Sequence, residues 1–266
     1  MLLCTDVGNT HIKFALYEGK KQLVKFKFST NPGKTEDEFA AELHVTFNIN
    51  GYDPKDIKGS IISSVVPRIT EALCKAIRKI AGVNTLVLGP GVKSGLDLRI
   101  DNPATLGTDL LAMCVAAKEM YPCPSIIIGL GTATTIVYLD SQKRYCGGTI
   151  SPGVSISLDA LTNNGALLPS VDLNPPKKVI GTNTEDCIRS GLIIGTACML
   201  DGMIERFNEE KEKAKTVIAT GGLAQSIVKN CKCDIIINDD LILDGLRIIF
   251  WKNSSNSQCA MRNAQL

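Results

Sequence analysis

The fold is decided by a stretch at the beginning of the chain, Leu2-Leu3-Cys4-Thr5-Asp6-Val7-Gly8-Asn9-Thr10-His11-Ile12-Lys13-Phe14-Ala15-Leu16-Tyr17. Two apolar runs flank a short turn of Gly and Asn, which is the pattern of a β-hairpin. The same pattern returns at residues 125–139, where an apolar run, the turn Gly129-Leu130-Gly131-Thr132 and a second strand follow one another. This pseudo-repeat predicts two lobes of similar architecture, with a boundary near residue 115.

Strands and helices alternate along the rest of the chain. Thr35 and Glu38 form a capping box for a helix, and Gly82 is placed to end a helix over residues 68–81. Further helices are predicted over residues 108–121, 185–213 and 241–252, and residues 254–266 are predicted to be a disordered polar tail. The pattern indicates an α/β fold.

Composition excludes several classes of protein. The 266 residues carry 29 Lys and Arg against 27 Asp and Glu, a net charge of +2 that is too balanced for phosphate-based nucleic-acid binding. No apolar run approaches the ~18 residues needed to span a bilayer, and no signal peptide is expected. Ten cysteines without a Cys-x-x-Cys pair predict buried free thiols and no metal site. We therefore expect a cytoplasmic protein with no nucleic-acid or membrane partner.

Three glycine turns follow apolar strands: the first turn at residues 6–10, the second turn at 129–132 and the third turn at 219–222. Glycine allows positive φ and lets a phosphate approach backbone N–H groups, so the repetition predicts a bound nucleotide. Each turn alone also fits an ordinary hairpin. The spacing excludes a P-loop, because Lys93 is misplaced after Gly89, and a Rossmann fingerprint, because the second turn leads into a strand.

Two carboxylates are candidates for chemistry. Asp6 ends the first strand and is placed to act on the magnesium of a nucleotide through water, although Asp in this position also caps turns. Asp109 lies at the start of a predicted helix, where acidic residues are common because of the helix dipole.

The chain resembles the type III pantothenate kinases, members of the superfamily of acetate kinase, sugar kinases, heat-shock proteins and actin. The resemblance covers nearly the whole chain and is specific, because many motifs occur in order. They are Asp6-Val7-Gly8-Asn9-Thr10, Ser63-Ser64-Val65-Val66-Pro67, Gly89-Pro90-Gly91, Asn102-Pro103, Gly107-Thr108-Asp109, Gly131-Thr132-Ala133-Thr134-Thr135, Gly147-Gly148-Thr149-Ile150-Ser151-Pro152-Gly153, Gly181-Thr182-Asn183-Thr184, Thr220-Gly221-Gly222 and Leu243-Asp244-Gly245-Leu246.

The resemblance implies an α/β fold of two ribonuclease H-like lobes, with mixed sheets flanked by helices, over residues 1–115 and 116–266, and an ATP cleft between them. It implies a homodimer that phosphorylates pantothenate to 4'-phosphopantothenate with ATP and Mg²⁺, the first step of coenzyme A biosynthesis. Asp109 is then the general base. The residues assigned to ATP are Asp6, Val7, Gly8, Asn9, Thr10, His11, Ile12, Lys13 and Thr132. The residues assigned to pantothenate are Gly107, Thr108, Asp109, Leu110 and Thr184.

The chain departs from the family pattern at four positions. Leu110 replaces an Arg beside the general base, and Gly129 replaces an Asp that binds an activating K⁺ or NH₄⁺. Ile100 replaces a Tyr, and Asn164 replaces an Arg. Leu cannot offer the two-pronged hydrogen bonding of a guanidinium. These changes predict that nucleotide binding is better preserved than turnover.

Two alternatives to the pantothenate kinase therefore stay open. One is a nucleotide-binding pseudo-enzyme or regulator of the same fold, since losing an Arg and a cation ligand removes stabilisation of the transition state. The other is a kinase for a different hydroxyl acceptor, because Leu110 and Ile100 make the acceptor pocket more apolar.

Overall fold

The computed structural model describes the backbone of residues 1–165 and 168–263, and side chains as far as residue 254. Its first sheet has five strands in the order β3-β2-β1-β4-β5. They are β1 (Leu2–Val7), β2 (His11–Glu18), β3 (Lys21–Ser29), β4 (Gly59–Ser64) and β5 (Thr85–Val87). The first three strands are antiparallel, and β4 and β5 continue the sheet in parallel.

The second sheet repeats this topology. Its strands are β6 (Ser125–Leu130), β7 (Ala133–Leu139), β8 (Tyr145–Pro152), β9 (Thr216–Thr220) and β10 (Ile236–Ile237). Their order, β10-β9-β6-β7-β8, matches that of the first sheet strand for strand, with β6 in the place of β1. The pairing directions are also the same. The predicted pseudo-repeat and α/β class are confirmed.

Helices flank both sheets. They are α1 (Glu36–Ile49), α2 (Pro67–Ala81), α3 (Thr108–Met120), α4 (Val154–Asn164), α5 (Thr184–Arg189), α6 (Gly195–Glu210), α7 (Ala224–Val228) and α8 (Leu241–Asn263). The capping box of Thr35 and Glu38 is present, and Gly82 ends α2 at a φ of 71°. The sequence places these ends correctly because caps are local signals.

Two helical features differ from expectation. A π-helical turn, Ser190–Ile194, joins α5 to α6 within the long predicted helix. Helix α8 continues to Asn263, past its predicted end at residue 252, so a disordered tail from residue 254 is wrong for the residues described. No Gly or Pro interrupts residues 246–263. Residues 264–266 of that tail lie outside the described residues.

The run Thr184–Glu210 is long and apolar enough, by length and composition, to cross a membrane. The sequence analysis did not recognise this run, because small and polar residues interrupt the apolar residues along it. A core helix of a soluble protein passes the same test, and this run contributes Ile188, Leu192, Ile193, Ala197, Leu200 and Ile204 to the core of the second sheet. Its apolar residues therefore have a packing role.

The chain forms two compact units, each built from separate segments. The first unit contains residues 1–95, 104–116 and 242–266, and the second contains residues 96–103 and 117–241. Thus most of α3 and nearly all of α8 belong with the first sheet, although α8 follows the second sheet in the chain. The predicted lobes, 1–115 and 116–266, were continuous, so they assign residues 96–103, 116 and 242–266 differently.

Each unit has its own hydrophobic core. In the first, Phe14 of β2 stacks on Phe26 of β3 with ring centroids 5.0 Å apart, and Phe28 packs beside them. Lys25 and Lys27 alternate with these rings and are exposed. Lys25 and Lys27 therefore lie on the solvated face of β3.

The nine cysteines among the described residues are all free thiols. Cys4, Cys114 and Cys123 are buried as predicted, whereas Cys187 and Cys198 are exposed. The prediction of buried thiols is thus wrong for these two.

Candidate active site

Two hydrogen bonds of Gly8 hold the first turn in place. The Gly8 amide donates to the His11 carbonyl at 3.0 Å, and the Thr30 hydroxyl donates to the Gly8 carbonyl at 2.7 Å. A Cβ on Gly8 would lie 3.2 Å from the His11 carbonyl oxygen, so glycine fits a close approach of backbone here. Asn9 and Thr10 are exposed at the tip of the turn.

Not every predicted nucleotide residue offers its side chain. Val7 and Ile12 are buried in the core of the first unit. Any contact that they make with a ligand must come from the backbone. The exposed side chains of the turn are Asn9, Thr10 and His11.

Asp6 lies in the middle of a polar row across three strands. It pairs with Lys13 of β2 on one side and with Ser63 of β4 on the other. Residues paired across neighbouring strands point to the same face of a sheet. The fold thus places a carboxylate, an ammonium group and a hydroxyl side by side.

The electrostatics of Asp6 link it to the second predicted carboxylate. Burial raises the pKa of Asp6 from 3.8 to about 7; the Lys13 cation lowers this pKa and the Asp109 carboxylate raises it. Only 8% of Asp6 is exposed. The structure therefore brings Asp6, Lys13 and Asp109 into one charged cluster.

Asp109 occupies the first turn of α3, where the positive end of the helix dipole favours a negative charge. The helix begins as the Leu111 amide donates to the Gly107 carbonyl at 2.9 Å. A Cβ on Gly107 would lie 2.6 Å from the carboxylate oxygen Oδ1 of Asp109. Gly107 therefore leaves the space that the carboxylate occupies.

Ser63 is a site residue to which sequence reasoning gave no role. It is fully buried, and its hydroxyl lies 3.0 Å from that of Thr108, the first residue of α3. This contact connects the end of β4 to the helix that carries Asp109. The available signal was its place in the motif Ser63-Ser64-Val65-Val66-Pro67, after an apolar strand.

The second unit holds the other two glycine turns at neighbouring strand ends, because Gly129 of β6 pairs with Thr220 of β9. The Gly131 amide donates to the Ala133 carbonyl at 3.1 Å, much as Gly8 does in the first turn. Thr132 is exposed at the tip.

Glycines from two other elements pack against the second turn. The Gly153 amide donates to the Thr132 carbonyl at 3.0 Å, and a Cβ on Gly153 would overlap that carbonyl. A Cβ on Gly221, which has a φ of 119°, would overlap the Leu130 carbonyl. Glycine allows positive φ at each of the three turns, and among their glycines, all within the described residues, Gly221 alone adopts it. Gly8 and Gly131 form their turns without it.

The remaining predicted residues have varied surroundings. Thr184 is exposed at the start of α5, where the Asn183 side chain accepts a hydrogen bond from the Asp186 amide at 2.8 Å. Leu110 is 9% exposed, so little of it is available to an acceptor. The Asn164 amide group donates to the Ala160 carbonyl at 2.8 Å, within its own helix.

The donor chemistry of the first unit fits a divalent cation bound with a nucleotide. Asp6 is a buried carboxylate near a second one, and carboxylate oxygens are preferred ligands of hard cations. Gly129, in contrast, has no side-chain oxygen to offer a monovalent cation. Among the described residues, no cluster of three or more His, Cys, Asp or Glu is arranged to hold a metal by itself.

Structural comparison identifies the architecture. A Baf family protein from Campylobacter jejuni aligns with a TM-score of 0.61 at 18% identity, over 95% of this chain and 99% of that one. The activator of 2-hydroxyisocaproyl-CoA dehydratase from Clostridium difficile, solved with bound ADPNP, aligns with a TM-score of 0.54 at 14% identity, over 97% of each chain. These likenesses establish the two-lobed fold.

Sequence comparison identifies the family. Type III pantothenate kinases from Exiguobacterium sibiricum and Halalkalibacterium halodurans are 41% and 38% identical to this chain over 253 residues, which is 95% of this chain and 100% of each relative. Residues 2–206 match the sequence profile of type III pantothenate kinases. Together with the paired carboxylates and the repeated glycine turns, this shows that the chain belongs to the type III pantothenate kinase family.

Proposed function

We propose that the chain uses ATP to phosphorylate pantothenate to 4'-phosphopantothenate, the first step of coenzyme A biosynthesis, with Asp109 as the general base. The relatives named for this activity match over their full length. The observation that carries the role of Asp109 is its place in the charged cluster with Asp6 and Lys13.

The proposed chemistry is an in-line transfer. The pantothenate hydroxyl oxygen forms a bond to the γ-phosphorus, the bond from that phosphorus to the β–γ bridging oxygen breaks, and ADP leaves. Asp109 accepts the hydroxyl proton and orients the attacking oxygen, the role that one carboxylate has in phosphoryl transfer. Asp109 is suited to this role because Gly107 leaves room for its carboxylate and the helix dipole favours its charge.

The remaining residues of the first unit prepare the site for ATP. Lys13 supplies a positive charge beside Asp6, and the exposed side chains of Asn9 and Thr10 supply hydrogen-bond donors. Asp6 would hold a divalent cation, for which we propose Mg²⁺, through water, and that cation would supply charge neutralisation to the phosphates. Charge neutralisation and positioning supply most of the catalysis in this class of reaction.

The second unit contributes the exposed Thr132 to ATP binding and Thr184 to pantothenate binding in this proposal. The ADPNP bound by the structurally similar activator supports nucleotide binding by this fold. Gly107, Thr108 and Leu110 flank the general base in the chain, and we assign them to pantothenate binding; because Leu110 is buried, its contribution comes mainly from its backbone. Because Gly129 lacks a side-chain oxygen, we propose a weakened response to K⁺ or NH₄⁺.

The test is ADP release from ATP in the presence of Mg²⁺ and pantothenate, with and without K⁺ or NH₄⁺. We expect Asp109→Asn to lower kcat by about 10²–10⁴-fold, the usual contribution of a general base, and to leave ATP binding intact. Asp37→Asn is the matched control, because Asp37 is an exposed carboxylate of α1 paired with Lys79. If wild type and Asp109→Asn both bind ATP and neither turns over pantothenate, the chain is a nucleotide-binding protein and the proposed activity is wrong.

We also propose a cytoplasmic homodimer. The second unit exposes large apolar side chains, including Ile150 on the edge strand β8 and Ile180, which are 73% and 82% exposed. Exposed apolar groups of this kind favour association. Light scattering coupled to size-exclusion chromatography tests this, with a monomer mass as the contrary result.

A further inference from the structure

The geometry points to a positioning role for helix α8: contact of its Gly245 with Ala112 of α3 sets where Asp109 lies relative to Asp6. This inference rests on the proposed role of Asp109. It gives a function to the motif Leu243-Asp244-Gly245-Leu246, to which no part of the proposed reaction is assigned.

Helices α3 and α8 both bring charged side chains near β1. Cys4 and Asp6 are two residues apart in β1 and therefore share a face of the sheet. The charge of Asp109 in α3 raises the pKa of Asp6. In α8, the charge of Arg247 lowers the pKa of Cys4 and that of Asp244 raises it. Both helices therefore lie near β1, with Asp109 of α3 near Asp6 and the charged pair of α8 near Cys4.

Gly245 is the point of closest approach between these helices. A Cβ on Gly245 would overlap the carbonyl group of Ala112. Ala112 is fully buried and lies one helical turn after Asp109, on the same side of α3. Because the obstacle is backbone and packed interiors have little free space, any side chain at position 245 has to push α3 away. Such a shift moves the turn that holds Asp109.

Helix α8 is itself held against the sheet by the side chain of Arg247. Nη2 of Arg247 lies 3.4 Å from Oδ1 of Asp244, and the guanidinium lies 5.5 Å from the centroid of the Tyr17 ring of β2. The two charged side chains are only 11% and 16% exposed. The ion pair lies within α8 and holds the Arg247 side chain in place. The contact of the guanidinium with the Tyr17 ring then positions α8 against β2.

A second contact anchors α8 one turn further along. A Cβ on Gly59, the first residue of β4, would overlap the ring of Phe250. Here the obstacle is the end of a side chain, so a methyl group at position 59 displaces α8 less than one at position 245 does. Alanine at position 245 and alanine at position 59 are therefore expected to displace a helix by different distances.

The experiment compares the kcat and the KM for ATP of three glycine-to-alanine variants. Gly202→Ala in α6 is the matched control, because a Cβ there meets nothing within 4 Å and the gain in helix propensity is similar. We expect Gly245→Ala to lower kcat by about 100-fold, the size of effect that a displacement of 1 Å has on catalysis. We expect Gly59→Ala to lower kcat by about 10-fold on the same basis. The KM for ATP stays unchanged in all three.

A general loss of packing would reduce the folded fraction and all activities together, whereas displacement of Asp109 alters kcat and spares ATP binding. Wild-type kcat in both Gly245→Ala and Gly59→Ala, or a KM for ATP that rises as strongly as kcat falls, overturns the inference. If Gly245→Ala does not fold, Gly59→Ala decides the question. Failure of the proposed function itself is distinguishable, because the wild type would then produce no ADP with pantothenate.

Discussion

Replacement of Asp6 by Asn is expected to stabilise the ligand-free protein at neutral and alkaline pH. In the folded protein the pKa of Asp6 is about 7, because burial and, to a smaller extent, the Asp109 carboxylate raise it more than Lys13 lowers it. In the unfolded chain the same carboxyl group has a pKa near 3.8. Asn has no charge to bury. The variant therefore avoids the cost that the folded wild type incurs when Asp6 loses its proton.

The size of the effect follows from the difference between the two pKa values. Below pH 3.8 both states hold the proton, and the stability associated with the neutral carboxyl is fully present. As pH rises towards about 7, only the folded state keeps the proton, and stability falls by about 1.4 kcal/mol for each pH unit. The whole window amounts to about 4 kcal/mol, of which about 3 kcal/mol lies between pH 5 and pH 8.

The assay is urea denaturation at pH 5, 6, 7 and 8, followed by circular dichroism, without nucleotide and with a chelator. We expect the gain in unfolding free energy of Asp6→Asn over wild type to grow with pH. Glu38→Gln is the control, and it is expected to be less stable than wild type by nearly the same amount at all four pH values. Hydrogen bonds from the Thr35 backbone and hydroxyl lower the pKa of Glu38, so its carboxylate stabilises the fold above its unfolded pKa and this contribution is lost in acid.

A stability difference between Asp6→Asn and wild type that does not change with pH would refute this reasoning, as would a less stable variant at pH 8. The same variant is expected to lose ATP-dependent turnover, because Asn offers a weaker ligand to a divalent cation. Stability gained with activity lost is the behaviour of a residue kept for function.

Three further outcomes are expected. Ser63→Ala lowers the free energy of unfolding by about 1–2 kcal/mol, because the Thr108 hydroxyl loses its buried hydrogen-bond partner. Urea titration measures this, and an unchanged midpoint of unfolding would argue against the contact. Gly153→Ala raises the KM for ATP on the order of 10-fold, because the added methyl group displaces the Thr132 carbonyl of the second turn. Gly222→Ala leaves this KM unchanged, because a Cβ at position 222 meets no atom within 4 Å. Equal effects of the two substitutions would contradict the packing argument. K⁺ raises wild-type ADP release only weakly, and Gly129→Asp makes the rate depend more strongly on K⁺, since it introduces a carboxylate. Strong K⁺ activation of the wild type would contradict this.

Local features were predicted well because their signals lie within a few residues. The capping box at Thr35, the stop at Gly82 and the start of α3 at Thr108 depend on hydrogen bonds between near neighbours. The end of α8 was predicted too early, because polar composition was taken as a sign of disorder where no helix breaker is present.

The candidate site was predictable in its residue types and only partly in its geometry. Asp6 and Asp109 were singled out from turn and helix-cap positions, and the family pattern added their roles. Burial of Val7 and Ile12, and most of Leu110, follows from which face of a strand or helix meets the core. A single sequence does not show, for one isolated residue, whether its side chain faces the core or the solvent.

The sequence by itself determined the repeated strand–turn–strand pattern, the α/β class and the family, because these are written in hydrophobic periodicity and in glycine positions. Only the tertiary structure decided that Asp109 lies near enough to Asp6 to raise its pKa, that the hydroxyls of Ser63 and Thr108 are in hydrogen-bond contact, and that α8 returns from beyond the second sheet to pack on α3. These contacts join residues far apart in the chain. They depend on strand order and on how closely two helices approach, which short stretches of sequence do not specify.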